Sequence, residues 1–309
     1  MTTMNAVQIH QFGGPEVLTY EEAPKPEPKE GEVLIKVAAT AINPIDWKIR
    51  EGAMEQIMPH TLPLILGGDV AGTVDTLGSG VTKFAVGDAV FAMASAGTYA
   101  EYVALPADAV SAKPSSVDFP IAAAIPLAST TAWEALTEQA NLANGQTILI
   151  HGGAGAVGAF AVQFAKVKGA TVIATATGAG LDYLREIGAD TVVDYKAEKF
   201  EDVAQNVDVV LDTIGGDTQA RSWQTLRDGG VLVTTLGIMT DTSAATARGV
   251  EAKALMAHPD GAVLAEIARL VDAGQVSTLL DSVHPLSQAS QAQELAQNGH
   301  PRGKVVLEP

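Results

Sequence analysis

The chain has 309 residues, 47% of them apolar, no cysteine, and 36 Asp and Glu against 19 Lys and Arg, a net charge of −17. That length and apolar content suit about two well-packed domains and exclude a largely disordered chain. The missing cysteine excludes disulfides and thiolate metal sites and suits a reducing compartment, expected to be the cytoplasm, while the acidic balance excludes nucleic-acid binding without a local basic patch.

No such patch is found, since the stretch offering most positive charge, Lys25 to Lys36, carries as many acids as bases. The opening MTTMNAVQIHQF has neither a basic nor an apolar region, so no signal peptide is expected. After the spaced prolines Pro24, Pro26 and Pro28, the residues Val33, Ile35 and Val37 alternate with Glu32, Leu34 and Lys36, which predicts a strand. Gly67, Gly68, Gly72, Gly78, Gly80 and Gly87 then punctuate short apolar runs and predict a β-rich first third.

Further on, apolar runs alternate with helical patterns. The runs Thr147–Ile150, Thr171–Ala174, Val192–Val193, Val207–Leu211 and Val231–Thr234 leave room for a helix between neighbours, the signature of βαβ units and a parallel sheet. The stretch from Gln139 to Ala165 carries no formal charge, yet Asn141, Asn144, Gln146, His151 and its glycines argue against a membrane span. Val157, Phe160, Ala161 and Phe164 follow helical spacing and predict an amphipathic helix over Val157–Lys166. A last helix is expected over Gly261–Asp272, with short strands from Ser277 to Leu307.

Between strand and helix lies HGGAGAVG, in which Gly153, Gly155 and Gly158 satisfy G-x-G-x-x-G. The first glycine permits a tight turn, the second lets the backbone approach a pyrophosphate, and the third lets helix and strand pack. The N–H groups at Ala156, Val157 and Gly158 then face the anion. The second strand ends in Thr175, Ala176 and Thr177, where an NADH enzyme would place an acid for the ribose 2′-hydroxyl. That absence favours NADPH over NADH; Gly178 to Gly180 hold no Arg or Lys to meet the extra phosphate, and Lys196 beside Tyr195 is the candidate replacement. Thr213 and Ile214 follow the fourth strand and Leu236 and Gly237 the fifth, the ends that line a ligand crevice. His151 is read as a packed histidine rather than a catalyst.

Nine segments in order resemble the zinc-independent, quinone-oxidoreductase-like branch of the medium-chain dehydrogenase/reductases: FGGPEVL (12–18), NPIDWKIR (43–50), GGDVAGTV (67–74), VGDAV (86–90), TYAEY (98–102), TTAWEAL (130–136), the glycine loop, DTIGG (212–216) and RGKVVL (302–307). The resemblance implies an α/β fold with a Rossmann-type doubly wound parallel sheet over 121–274. It also implies a GroES-like β-rich substrate domain built from 1–120 and 275–309. It puts Asn43, Asp46 and Tyr99 at the substrate, Thr131 at the nicotinamide, and Gly303 and Lys304 at the cofactor, and it implies a homodimer. Zinc-dependent relatives draw ligands from positions held here by Asn43, Gly68 and Asp69, and the six histidines, His300 among them, show no ligand spacing, so no metal is expected. Without a Lewis acid, the expected reaction is hydride transfer from NADPH to a quinone or the activated double bond of an α,β-unsaturated carbonyl. Two readings stay open beside it: a non-catalytic NADP(H)-binding redox sensor or scaffold, and an acyl-thioester enoyl reductase.

Overall fold

A computed structural model of the chain describes residues 2–299 and 301–309; His300 lies outside the described residues. The first part forms β1 (Thr3–Ile9), β2 (Thr19–Pro24), β3 (Glu32–Ala41), α1 (Pro44–Arg50), β4 (Leu64–Ile65) and β5 (Asp69–Leu77). Next come β6 (Ala89–Met93), β7 (Tyr102–Pro106), β8 (Val110–Ala112), α2 (Phe119–Ala123) and α3 (Pro126–Glu134). An alternating stretch follows: β9 (Thr147–Ile150), α4 (Ala156–Val167), β10 (Thr171–Ala176), α5 (Gly180–Glu186), β11 (Thr191–Asp194), α6 (Phe200–Val203) and β12 (Val207–Asp212). It continues with α7 (Gly216–Ser222), β13 (Leu226–Thr234), α8 (Ser243–Thr246) and β14 (Glu251–Ala254). The tail holds α9 (Gly261–Asp272), β15 (Leu280–Pro285), α10 (Ala289–Asn298) and β16 (Lys304–Glu308).

Two compact units result: Met1–Leu127 with His258–Pro309, and Ala128–Ala257. The second unit carries a six-stranded sheet in the order β11-β10-β9-β12-β13-β14, every pair parallel. Sequence order along it reads 3-2-1-4-5-6, the doubly wound arrangement whose direction reverses between β9 and β12. Its central strands β10, β9 and β12 are largely buried on both faces, as in TILI of β9, because helices cover the sheet on either side. Leu149, Val193, Phe200, Val210 and Leu232 share one core cluster.

One expectation for this unit needs correction, and one strand was not expected. Helix α4 is buried at every position from Gly158 to Ala165 rather than along one stripe, so its charge-free sequence reflects a helix enclosed by protein. The sixth strand, β14, has the sequence EAKA and mostly exposed side chains, so no apolar run announces it; parallel pairing with β13 is what makes it a strand.

In the first unit the long strand β3 organises a seven-stranded sheet ordered β15-β16-β3-β5-β6-β8. Along one edge, β3 pairs with β7 over Glu32–Lys36 and with β16 over Thr40–Ala41; β5 pairs along the other. A smaller sheet, β2-β1-β4, lies off this path. The tail does more than return as strands. β15 and β16 are parallel, and a parallel pair needs a crossover, which α10 supplies.

Helix α9 belongs to the first unit, which moves residues 258–274 out of the nucleotide domain to which the sequence boundaries gave them. The cause is visible at both helix ends. Gly261 N donates to Asp108 O at 2.8 Å, and the Asp272 carboxylate accepts from Ser115 N at 3.1 Å and Ser116 N at 2.9 Å.

Candidate functional site

In the second unit β9 runs into His151, and the chain turns at Gly152, whose φ of +67° lies in the left-handed region that favours glycine. The tight turn therefore belongs to Gly152, one residue before the position the motif assigns. Gly153 instead lies against the sheet and α5, where a Cβ would come within 3.0 Å of Ala174 Cβ and Leu184 Cδ2. Gly158 is the close-packing glycine: a Cβ there would strike the Gly152 carbonyl oxygen and lie 2.7 Å from Gly153 Cα. Gly155 caps α4 in extended conformation, and a Cβ there would meet only the Gly152 oxygen, at 3.2 Å. The approach to Gly155 is open, and the first N–H groups of a 12-residue helix, from Ala156 and Val157 onward, begin there.

Several expected cofactor contacts hold this loop from behind. Thr175 is 3% exposed, and its hydroxyl accepts from Gly152 N at 3.3 Å and meets His151 Nδ1 at 3.3 Å. Thr213 donates its hydroxyl to His151 O at 2.8 Å. Ile214, exposed, reaches over the turn, with its Cδ1 3.1 Å from where a Gly152 Cβ would stand. Thr177, half-buried, and Tyr195, exposed, stand past the ends of β10 and β11.

His151 is structural. Its Nε2 meets Ser222 Oγ at 2.9 Å and its ring packs edge-on against Phe200 at 4.5 Å, and burial pushes its pKa from 6.5 down to about 4, so it stays neutral at pH 7.

Sequence reading missed the pair that shapes the neighbouring loops. Asp212, fully buried at the end of β12, accepts from Ile214 N at 3.0 Å and Gly215 N at 2.8 Å through Oδ1, and from Gln219 Nε2 at 3.0 Å and Thr234 Oγ1 at 3.1 Å through Oδ2. Thr234 in turn receives Leu236 N. Gln219, also fully buried, donates to Gly237 O and accepts from Met239 N and Thr240 Oγ1. One carboxylate and one amide thus fix both loops, including Leu236 and Gly237. The legible signal was an acid closing the apolar run Val207–Leu211.

Thr130 was missed as well. The resemblance singles out Thr131, which is 7% exposed, but the fully buried Thr130 next to it carries a hydroxyl without any partner. Such an orphan is rare in a folded protein and points to a ligand group. Its helix α3 packs through Trp133 onto Phe164 of α4, ring centroids 5.3 Å apart. The open cradle at Gly155 and this orphan hydroxyl both fit a dinucleotide. Thr130→Val is expected to leave Tm unchanged or slightly raised, since no bond is lost, while weakening NADPH binding roughly ten-fold; fluorescence titration and thermal melting check the two halves.

In the first unit the expected substrate-side residues come together, but with one another. Asn43 N-caps α1, and its N–H donates to Asp46 Oδ2 at 2.8 Å, the side chain three positions into the helix. Tyr99 OH donates to the same oxygen at 2.9 Å. Asn43 Nδ2 donates to Asp69 Oδ2 at 2.7 Å, and Asn43 Oδ1 accepts from Lys304 Nζ at 2.5 Å. Gln293 Nε2 reaches Tyr99 OH at 3.5 Å, and Gln293 Oε1 accepts from the buried Arg50 at 2.6 Å.

Asn43 and Asp46 are 2% exposed and Tyr99 is not exposed at all. Tyr99 packs among Val7, Ile9, Ile42 and Leu66 as a core aromatic with a satisfied hydroxyl. These polar atoms are engaged in holding the β3–α1 turn to β5 and α10. Burial pushes the Asp46 carboxyl from 3.8 up to about 7, against the opposing pull of Asn43 N–H, Tyr99 OH and Lys304, and it pushes the Tyr99 phenol well above its usual value.

Gly303 and Lys304, expected at the cofactor, also belong to this framework. Gly303 has φ of +123° and its Cα lies against Leu279, where a Cβ would come 2.5 Å from the carbonyl oxygen. Lys304 Nζ donates to Ile42 O at 2.9 Å, to Asn43 Oδ1 and to Asp69 Oδ2 at 3.2 Å, so its three donors are all taken.

These residues do not fit a zinc ion: an amide stands in the first ligand position, Gly68 offers no side chain, and an ammonium already sits on the Asp69 carboxylate. Among the described residues no three His, Cys, Asp or Glu side chains group as a metal site.

Residues 29–115 match the alcohol dehydrogenase GroES-like domain and residues 187–307 the zinc-binding dehydrogenase domain. The chain is 33% identical to a chloroplastic quinone-oxidoreductase homolog of Spinacia oleracea, covering 99% of this chain and 98% of that protein. It is 36% identical to a chloroplastic NADPH-dependent alkenal/one oxidoreductase of Arabidopsis thaliana, over 99% of this chain and 80% of that one. The structure of a quinone oxidoreductase from Coxiella burnetii superposes with a TM-score of 0.90 at 34% identity, with both chains fully covered. The chain belongs to the quinone-oxidoreductase-like, zinc-independent branch of the medium-chain dehydrogenase/reductases.

Proposed function

We propose that the protein is an NADPH-dependent reductase of quinones and of the activated double bond of α,β-unsaturated carbonyls. The observation that carries this reading is the pairing, in one chain, of an open glycine cradle at Gly155 with an ammonium, Lys304, on the carboxylate where metal-dependent relatives hold their ion. Bound NADPH supplies a hydride. The protein binds its pyrophosphate at the start of α4, receives a polar group at Thr130, and keeps the loops after β12 and β13 in place through Asp212 and Gln219. A quinone or enone accepts hydride at an electrophilic carbon while charge spreads onto its oxygen, so neither a Lewis acid nor a strong side-chain acid is demanded.

NADPH is preferred over NADH in this reading because β10 itself ends in Thr175 and Ala176, where NADH enzymes carry an acid for the free 2′-hydroxyl. A homodimer is proposed as well; the exposed edge strand β14, followed by the 56% exposed Met256, supports it, and sedimentation of the purified protein tests it.

The decisive assay follows NADPH absorbance with a simple quinone and a short-chain enone in parallel, with product analysis for a saturated carbon–carbon bond. Consumption of NADPH with either acceptor supports the proposal, and the product tells which chemistry dominates. Tight NADPH binding without turnover of either would overturn it in favour of a redox-sensing or scaffold role.

A further inference from the structure

The charge pair at the heart of the first unit is unusually enclosed. Asp69 has no exposed surface and Lys304 is 4% exposed. Asp69 Oδ1 accepts from Leu127 N at 2.7 Å, while Oδ2 receives both Asn43 Nδ2 and Lys304 Nζ. Around Nζ stand three oxygens of different origin: the Ile42 carbonyl, the Asn43 amide and the Asp69 carboxylate. This is a small oxygen cage with a single negative charge, the kind of donor set that suits a hard cation better than a soft one.

We propose that the Lys304 ammonium is the built-in cation of this cage. It is a positioning residue: it neutralises Asp69 and orients the Asn43 amide, and through Asn43 it fixes the α1 turn that presents Asp46 to Tyr99. The tethered ammonium does what a bound ion would do for the arrangement, without an ion that can dissociate or be chelated. Its side chain arrives from β16, and the strand can deliver it because Gly303 passes flush against Leu279 just before. With every donor taken, Lys304 has none left for a cofactor phosphate, so its influence on reduction of the acceptor is indirect.

The kinetic part of this inference rests on the reductase reading; the thermal part does not. Lys304→Ala leaves a charged carboxylate beside a space the size of a propylammonium chain, and its Tm is expected to fall by roughly 10 °C. Ethylammonium chloride is expected to restore much of that loss saturably, whereas sodium chloride at equal ionic strength and the neutral 1-propanol do not. Lys304→Met fills the space without charge, so it is expected to melt low and to ignore the amine. Lys304→Arg keeps the charge in a larger, planar group and is expected to retain part of the Tm. In Lys304→Ala, kcat/KM for the acceptor is expected to fall at least about ten-fold and to recover with ethylammonium, while KM for NADPH changes little.

Wild-type Tm and kinetics in Lys304→Met would overturn the proposal, as would equal rescue of Lys304→Ala by 1-propanol. Should Lys304→Ala fail to fold, the comparison of Lys304→Met with Lys304→Arg decides on charge alone. If the Tm pattern holds while no protein, wild type included, turns over a quinone or enone, the built-in cation stands and the reductase reading falls.

Discussion

Gly155→Asp is expected to lose NADPH binding by at least about a hundred-fold while melting at or slightly above the wild-type temperature. The two effects have separate causes. At position 155 the backbone has φ of −75° and ψ of 167°, which any residue adopts, and a Cβ meets only the Gly152 oxygen at 3.2 Å. The fold therefore accepts the side chain, and Asp is among the best N-caps for a helix, contributing about 1 kcal/mol over residues that cannot cap. The same carboxylate, however, occupies the position where a pyrophosphate would meet the helix N-terminus, and it brings a like charge. Gly158→Ala forms the contrast: its Cβ collides with backbone of the turn itself, so both binding and Tm are expected to fall. Calorimetry with fluorescence titration separates the two variants. Undiminished NADPH affinity in Gly155→Asp would sink the cradle assignment.

Opposite pH responses are expected from Asp46 and His151, nearly cancelling in the wild-type protein. The Asp46 carboxyl is raised from 3.8 to about 7 in the folded chain, so its contribution to stability is complete below 3.8 and is lost as pH rises toward 7, where only the unfolded chain ionises freely. His151 is lowered from 6.5 to about 4, so its contribution is complete above 6.5 and is lost as pH falls toward 4, where the unfolded chain binds the extra proton. Each change is worth on the order of 3 kcal/mol across its window. Asp190, Asp208 and Asp272 are all held low, the last at about 2, so their stabilising effect is lost only at more acidic pH.

Wild-type Tm should accordingly stay nearly level between about pH 4 and 6.5. Asp46→Asn keeps an oxygen to accept from Asn43 N and Tyr99 OH and removes the titration, so its Tm is expected to climb across that range. His151→Gln is expected to show the reverse slope. Parallel curves for wild type and Asp46→Asn would mean that Asp46 titrates alike in folded and unfolded chains.

Much of the second unit was readable because its chemistry is local. A short β-branched run such as Val207–Leu211, set between stretches long enough for a helix, reads as a strand of a parallel sheet, and three glycines between such a strand and a helix have few other uses. Assigning work within the glycines was harder, since Gly152 and Gly153 differ in φ and in what lies against them, and the sequence shows neither. β14 was invisible because EAKA becomes a strand only through its neighbour. Helix α10 was hidden for a related reason: its buried positions are Ala289, Ala292 and Gln293, too small and polar to trace an apolar stripe. The roles of Asn43, Asp46, Tyr99 and Lys304 depend on contacts as long as the 261 residues separating Lys304 from Asn43, and a motif cannot say whether a polar side chain turns toward a ligand or toward another polar side chain.

The last strand lies inside its sheet, with β15 on one side and β3 on the other. On the ribosome, residues 1–127 therefore emerge long before the piece that completes them, and Asp69 waits for its counter-charge until Lys304 is synthesised. Residues 128–257 depend on no such late arrival for their sheet. The nascent chain should thus acquire its parallel sheet first and close its older half only once β16 is free to enter between β15 and β3.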